Sequence, residues 1–258
     1  MNILKELVIS IIEPKADTLL SSGKARKIEQ AIRIYNKIIK IDDTKTNIYW
    51  NKMIGYIILK EFDQALLCID KLIGLEPKNA KFYNEKASVL CSTNLQRYEE
   101  AIDYYNMSIE IQNDYSDAYL GKGIALACLH KYDEAEACYN KALELSPKNS
   151  DIYTNKAIIY LKRKMYKEAL ELCDKSIELS YKTKLSLDFA YFTKSRIYAM
   201  MNLKDECINN LGKAIKINNS FKDYVLKCEE FEIIEDDKDF IKVLSKFNSR
   251  SMLGRWKH

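Results

Sequence analysis

The strongest constraint on the fold is a cadence of about 34 residues that recurs through most of the chain. Five segments share one pattern and a sixth follows it more weakly: IEQAIRIYNKII, FDQALLCIDKLI, YEEAIDYYNMSI, YDEAEACYNKAL, YKEALELCDKSI and KDECINNLGKAI. Their shared small residue falls at Ala31, Ala65, Ala101, Ala135, Ala169 and Cys207, in steps of 34, 36, 34, 34 and 38 residues. A register held this long indicates a repeat array. We interpret the two longest steps as short loop insertions, one at Asn94-Leu95 and one within Lys182–Leu187.

Each unit also has an upstream half that begins with a tyrosine, namely Tyr49, Tyr83, Tyr119, Tyr153 and Tyr191. Apolar residues follow these tyrosines at spacings of three and four without an intervening proline, which is the α-helical period. The small residue of each repeat lets two helices approach to about 8–10 Å. Each unit is therefore predicted to be a pair of antiparallel helices. Such pairs bury their apolar faces only by stacking on their neighbours, so the predicted fold is an all-α solenoid.

The composition argues against several kinds of chemistry. The 258 residues include only 7 glycines and 2 histidines, which leaves little for a glycine-rich phosphate loop or for a histidine-based catalytic or metal site. The formal net charge of +4 is far from that of a protein that coats nucleic acid. We therefore expect no catalytic residue, no metal and no cofactor.

The cysteines and the N-terminal stretch indicate the cellular compartment and whether the protein associates with a membrane. The 7 cysteines are widely spaced without a C-x-x-C pair, so we interpret them as apolar packing residues in a reducing compartment. The apolar residues from Ile3 to Ile12 fall at helical spacing and predict an amphipathic packing helix. No stretch approaches the roughly 20 apolar residues of a membrane span. We expect a cytoplasmic protein that does not bind a membrane.

The segment Ser116–Asn149 resembles a tetratricopeptide repeat. In the order of that family's pattern, the residues that match are Tyr119, Gly123, Leu126, Ala135, Tyr139 and Pro147. Lys122 departs from the expected leucine, as do the lysines at the same place in the other units. The resemblance covers about Thr46–Ser220. It implies a right-handed α-solenoid whose first helices line a concave groove.

The repeat register predicts one solenoid domain with seven parts. These are a degenerate N-terminal helix with a first hairpin (1–45), four repeats (46–79, 80–115 with a two-residue insertion, 116–149 and 150–183), a degenerate repeat (184–220), and a C-terminal cap with a basic tail (221–258). The first unit has an irregular first helix. A cap is expected because the last hairpin of an array needs a polar outer side.

The resemblance implies that a peptide or partner segment binds in the groove. The positions that usually face the groove are unusually apolar and carry equal numbers of positive and negative charges, and apolar surface of this kind marks binding sites. The predicted partner-binding residues are Trp50, Asn51, Ile54, Asn84, Ser88, Leu120, Ile124, Thr154, Asn155, Ile158, Phe192 and Arg196. Among them, the asparagine side chains can pair with a peptide backbone because an amide offers both donor and acceptor.

The predicted function is that of a non-catalytic protein–protein interaction scaffold. One alternative is binding of single-stranded RNA, which would need a groove rich in lysine and arginine. A second alternative is a structural protein that assembles with copies of itself through the ends of the solenoid. The clamp that some members of the family use for a C-terminal carboxylate is disfavoured, because Glu85 stands where that clamp needs an arginine and would repel a carboxylate.

Overall fold

The computed structural model describes residues 2–92, 94–183, 186–225 and 227–245, and every regular element in them is a helix. The chain divides into two compact units, Met1–Cys138 and Tyr139–His258. The first unit contains α1 (Asn2–Ser21), α2 (Ala25–Ile41), α3 (Thr46–Ile58), α4 (Phe62–Leu75), α5 (Ala80–Leu90), α6 (Tyr98–Ile111) and α7 (Ser116–Cys128), and α8 (Tyr132–Leu145) spans the boundary. The second contains α9 (Ser150–Lys162), α10 (Tyr166–Thr183), α11 (Leu187–Met200), α12 (Lys204–Ile217), α13 (Phe221–Val225), a 3₁₀ helix (Glu229–Ile234) and α14 (Lys238–Ser245).

The repeated small residue lies at the centre of the packing, as the sequence predicts. Within the first unit, each helix from α1 to α6 packs on the next, and within the second unit the same holds from α9 to α12. The side chains with no exposed surface include all six members of the series, Ala31, Ala65, Ala101, Ala135, Ala169 and Cys207. A larger side chain at these positions would separate the helices, so the 34-residue cadence follows from close helix packing.

The turn inside each hairpin from the second to the sixth depends on one residue with left-handed backbone geometry. That residue lies five positions before the buried small residue, and its φ is between 52° and 61° at Lys60, Gln96, His130, Lys164 and Asn202. In four of these turns, the next amide donates to the carbonyl five residues back, as in a Schellman motif. Glycine usually occupies the left-handed position after a helix. None of these five residues is a glycine, so the sequence does not show where these helices end. His130 therefore lies in one of these turns. Its ring Nδ1 lies 2.8 Å from the hydroxyl of Tyr132.

The tyrosines that open three of the units also hold the loops between hairpins. Their hydroxyls donate to the backbone carbonyl six residues earlier, from Tyr83 to Pro77, from Tyr119 to Asn113 and from Tyr153 to Pro147, at 3.0–3.2 Å. A hydroxyl is needed for this bond, because phenylalanine would fill the same space without a donor. The tyrosines therefore fix the loop conformation as well as packing against the helices.

The lysines that replace the family's leucine connect neighbouring hairpins. Their ammonium groups reach the second helix of the preceding hairpin, where they bind Asp or Asn side chains in the pairs Lys86–Asp70, Lys156–Asn140 and Lys194–Asp174. The Lys86 ammonium also lies 4.2 Å from the centre of the Tyr104 ring. The long lysine stem covers apolar surface while its charged end stays at the edge, so the lysine fills the leucine's place.

The structure corrects two details of the predicted first and fifth units. Helix α1 is regular through Pro14 and continues to Ser21, so the first hairpin has a complete first helix, with Ile9 and Leu20 buried in the core. Helix α10 runs to Thr183 and has 18 residues where α8 has 14, so the second insertion lengthens a helix. The first insertion is a loop, with turns at Asn94 and Leu95.

The outer side of α1 carries exposed apolar residues. Leu7 and Ile11 are 55% and 66% exposed, and Val8 is exposed as well. Self-assembly through this helix stays a prediction.

Of the helices in the described part of the chain, none combines the length and the hydropathy that crossing a membrane requires.

The predicted C-terminal cap is present in the second unit. Helices α13 and α14 pack on α12, and the 3₁₀ helix packs on α11. Phe221, Phe231 and Phe240 form a buried cluster with Phe192 of α11, with ring centroids 4.6–5.8 Å apart. The cap is thus joined to the last hairpin by an aromatic core. The predicted basic tail lies outside the described residues.

Candidate functional site

The first helices of the hairpins share one side of the first unit, which we call the first-helix face (α1, α3, α5 and α7). Hydrogen bonds between side chains align α1 with α3. The amide of Asn51 donates to Asp17 at 3.0 Å, and the amide of Asn47 donates to Glu13. The hydroxyl of Tyr35 donates to the same Asp17 oxygen at 2.6 Å. Each of these carboxylates lies 34 residues before its asparagine, so the repeat register is also the spatial register.

Asn51 is therefore held in place by Asp17, which occupies one of the N–H donors of its amide. Burial raises the pKa of Tyr35, and its hydrogen bond to Asp17 raises it further. The hydroxyl thus stays protonated and keeps donating to the carboxylate. Two neutral donors orient the Asp17 side chain without neutralising its charge.

Trp50 lies half-buried on this face, between α3 and α5. Its ring is 6.0 Å from that of Phe82, and the ammonium of Lys81 lies 4.0 Å from its centre. A cation over an indole at this distance is attracted by the electrons of the ring. Ile54 is also half-buried and contacts the hydrophobic clusters on both sides of α3. Both predicted site residues thus combine a packing role with some accessible surface.

The α5 part of the face brings two carboxylates close to an unpaired amide oxygen. Asn84 is 8% exposed, and its Oδ1 has no hydrogen-bond partner among the described residues. Burial raises the pKa of the adjacent Glu85, a rise that Lys81 opposes and Asp117 of α7 increases. Burial, together with Asp117 and Glu85, raises the pKa of Tyr115 to about 12. Negative charge is therefore concentrated between α5 and α7.

The α7 part of the face depends on a glycine. A Cβ at Gly121 would lie 2.4–2.5 Å from the ring and hydroxyl of Tyr105, which is closer than real contacts allow. The Tyr105 hydroxyl is hydrogen-bonded with Cys91 and with Ser88, which is itself exposed. Leu120 and Ile124 lie on either side of Gly121 and are half-buried. The missing side chain lets the ring reach the face from the second helix α6.

Two of the three predicted residues on α9 bind within the hairpin. Thr154 is fully buried, and its hydroxyl is 2.7 Å from that of Ser176 on α10. The prediction that Thr154 contacts a partner is therefore wrong. The amide of Asn155 donates to the carbonyl of Asp151 at 2.9 Å, which leaves its carbonyl oxygen for another contact. Ile158 is half-buried.

The predicted residues on α11 are covered by the chain's own 3₁₀ helix. Phe192 is 3% exposed and packs against Phe221 and Phe231, so it cannot contact a partner, and its prediction is wrong. The guanidinium of Arg196 donates to Glu230 at 2.8 Å. The prediction for Arg196 is also wrong in this conformation, because its charge is already paired inside the protein. The sequence predicted a cap for the last hairpin but did not place it on this side.

The contact with the 3₁₀ helix is electrostatic as well as apolar. Glu230 is 4% exposed and accepts from Arg196 and from Lys162 of α9, at 2.8 and 3.0 Å. Lys162 also donates to Glu229 at 2.8 Å. Burial would raise the pKa of Glu230, but the hydrogen bond and charge of Arg196, aided by Lys162, outweigh it and hold the pKa at about 2. The carboxylate is therefore ionised under ordinary conditions.

The expectation of an electrically neutral groove is wrong for the surface that remains accessible. The cations Lys162 and Arg196 on the first helices of the second unit are paired with Glu229 and Glu230. The carboxylates Glu13 and Asp17, which sequence reasoning missed, add to the first-helix face of the first unit. The repeat register could have found both, because they lie 34 residues before Asn47 and Asn51.

Two further groups of side chains bear on chemistry. Among the described residues, no three His, Cys, Asp or Glu side chains lie close enough together to hold a metal ion. Burial raises the pKa of Cys68 to about 11 and those of Cys173 and Cys207 to about 12. These three thiols stay protonated and serve as packing groups in the helix hairpins.

In both units, successive helix hairpins, each with a left-handed turn between its two helices from the second to the sixth, define the chain as a helical repeat protein. Family profiles described as tetratricopeptide repeat match residues 80–115, 116–149 and 138–171. Together these profiles cover residues 80–171 and identify tetratricopeptide repeats in this part of the chain. The predicted fold class is confirmed.

Two proteins show sequence similarity over the repeats. TPR repeat-containing protein MJ1428 of Methanocaldococcus jannaschii is 32% identical over 94 residues, which are 36% of this chain and 16% of that protein. Serine/threonine-protein phosphatase T of Trypanosoma brucei brucei is 32% identical over 108 residues, 40% of this chain and 22% of the phosphatase. The chain thus matches less than a quarter of either relative.

Solved structures share the fold at low sequence identity. PilW, a type IV pilus biogenesis factor, superposes with a TM-score of 0.62 at 17% sequence identity. The superposed region covers 87% of this chain and 98% of the PilW chain. MamA from Desulfovibrio magneticus RS-1 superposes with a TM-score of 0.57 at 18% sequence identity. The superposed region covers 67% of this chain and 95% of the MamA chain. At this identity the similarity concerns the fold alone.

Proposed function

We propose that this protein is a non-catalytic interaction module that binds a segment of a partner protein on the first-helix face of Met1–Cys138. The observation that carries the proposal is the accessible apolar surface of that face, where Trp50, Leu120 and Ile124 are half-buried. In a repeat protein, a solvent-facing surface with no function would be polar, and clustered apolar residues mark interaction sites.

Polar groups beside this apolar surface support an extended segment as the ligand. Ser88 is exposed next to the Tyr105 hydroxyl, and the buried carbonyl oxygen of Asn84 has no partner in the part of the chain that the structure describes. Such groups can pair with the amides of a peptide backbone while apolar anchors supply affinity. RNA binding is a poorer match, because the carboxylates of this face would repel phosphates.

The experiment is a selection of random 12-residue peptides, displayed on phage, against the full chain. A selected peptide is then measured against the Leu120→Gln variant, which keeps size and charge but removes apolar contact. We expect this change to weaken binding by about tenfold, the loss of roughly one apolar anchor. The matched control is Leu67→Gln, at an exposed leucine on the second helix α4, and it should leave binding unchanged. Equal binding to both variants would contradict the proposal.

A further inference from the structure

The charges of the first-helix face indicate the chemistry of the partner. Four carboxylates lie on this face in Met1–Cys138, and its helices contribute one lysine at the groove positions, Lys81, while Lys24 follows α1 and Lys45, paired with Glu6, precedes α3. The carboxylates are Glu13, Asp17, Glu85 and Asp117. The whole chain has a formal net charge of +4, so the face has the opposite sign to the protein. Long-range attraction to the whole chain would favour an acidic ligand, whereas this face favours a basic one.

The polar contacts of these carboxylates leave their charges in place. Glu13 and Asp17 accept hydrogen bonds from neutral amides and a neutral hydroxyl. The charge of Lys81 opposes the rise in the pKa of Glu85, and its ammonium also lies over the Trp50 ring at 4.0 Å. Asp117 lies close enough to Glu85 for its negative charge to repel that carboxylate and raise the pKa of Glu85. A cation bound between them would relieve this repulsion.

The unpaired group at this place is an acceptor too. The Oδ1 of Asn84 has no hydrogen-bond partner among the described residues, although the side chain is more than nine-tenths buried. A buried acceptor without a donor costs free energy, which a ligand that brings N–H groups can recover. Asn84 directly precedes Glu85 on α5, so the unpaired oxygen lies in the same helical turn as that carboxylate. The Asn84 oxygen and the carboxylates of Glu85 and Asp117 are all hydrogen-bond acceptors, so a ligand at this place must supply N–H or O–H donors.

We infer that the partner segment bound by this face is basic, with lysine or arginine side chains that pair with Glu85 and Asp117 between apolar contacts to Trp50 and Leu120. This inference rests on the proposed function, since it names the chemistry of the segment for the same face. A guanidinium or ammonium supplies both positive charge and several N–H donors. A segment rich in aspartate or glutamate would meet like charges and be rejected.

The peptide selection described above tests this inference through the charge of the selected sequences. Peptides selected on the wild-type chain are expected to be enriched in lysine and arginine over the unselected library. Against Glu85→Gln combined with Asp117→Asn, a selected basic peptide should bind about tenfold more weakly, as for two partly screened ion pairs.

The matched control is Asp103→Asn combined with Glu110→Gln, two exposed acids on the second helix α6. Both double variants change the net charge equally, so a general attraction between protein and peptide would affect them alike. The control should change binding less than about twofold, because distant surface charges are screened by salt.

The outcomes separate this inference from the proposed function. Selected peptides that are acidic or uncharged, and that lose binding with Leu120→Gln, would overturn the basic partner while keeping the face as the binding site. Equal weakening by the two double variants would also overturn it. Peptides whose binding is insensitive to Leu120→Gln would contradict the proposed function itself.

Discussion

The two units use the same face of their hairpins in different ways. In Met1–Cys138, Ser88 and Asp117 are exposed on first helices, and Leu120 is half-buried. In Tyr139–His258, the equivalent side of α11 lies beneath the 3₁₀ helix, which buries Phe192. The comparison teaches that the repeat register decides which residues share a face, whereas the segment after the last repeat decides whether that face is accessible.

The two faces also differ in charge. The covered face supplies cations, Lys162 and Arg196, to a carboxylate of the protein's own cap. The accessible face supplies carboxylates, including Glu85 and Asp117. In the second unit, the 3₁₀ helix is held against the first helices α9 and α11 by charge pairing together with aromatic packing. The three predictions below test how far this difference extends.

The largest effect is expected from Glu230→Gln, which removes the carboxylate that pairs with Arg196 and Lys162. Because the two cations would then be partly buried without a counter-charge, the contact of the cap should weaken by about 2–4 kcal/mol. Amide hydrogen exchange over residues 227–245 should accelerate, while exchange in α3 and α5 stays unchanged. The control is Glu232→Gln, an exposed residue of the same 3₁₀ helix. Equal exchange in both variants would show that the ion pairs do not hold the cap.

A smaller effect is expected on the accessible face, from Gly121→Ala. The added methyl would overlap the Tyr105 ring, so the first unit should lose about 1–3 kcal/mol of stability to urea. The matched change is Gly74→Ala in α4, where nothing lies within 4 Å of the new Cβ. That variant should gain about 0.5–1 kcal/mol, because alanine is the better helix former. The same sign for both variants would mean that Tyr105 adjusts without cost.

The smallest effect is expected from pH. The pKa of Glu230 is lowered from 4.5 to about 2 in the folded protein, so its stabilising contribution is complete above about pH 4.5 and is lost as the pH falls toward 2. By pH 3.5 the loss should be roughly 1 kcal/mol. A carbon NMR titration of the Glu230 carboxyl should give a midpoint near pH 2. A midpoint near 4.5 would mean that Arg196 and Lys162 do not stabilise its charge.

Much of the fold followed from local rules. The anchors from Ala31 to Cys207 and the opening tyrosines predicted the hairpins because a small residue at a close helix crossing is a strict steric requirement. The turn residues such as Lys60 and Lys164 escaped prediction, since a lysine in left-handed conformation carries no sequence signal. Helix α1 was predicted as irregular, yet packing of its buried face keeps it continuous through Pro14.

Less of the candidate site could be predicted. The register placed Trp50, Leu120 and Ile124 on an accessible face, and it would have placed Glu13 and Asp17 there as well. It gave no sign that Asn51 is bound by Asp17, because that contact joins two repeats through side chains. Thr154 resembled a surface residue in its spacing, but its hydroxyl pairs inside the hairpin with Ser176.

The amino-acid sequence by itself determined the repeating unit, its helical period and the family, because these depend on residues a few positions or one repeat apart. Only the tertiary structure decided which parts of the first-helix face stay accessible and what charge they carry. Phe192 and Arg196 lie 39 and 34 residues from their partners Phe231 and Glu230, beyond the last repeat. The reason is physical: helix formation and packing follow short-range spacing, whereas burial and charge pairing depend on where a distant segment of the chain comes to rest.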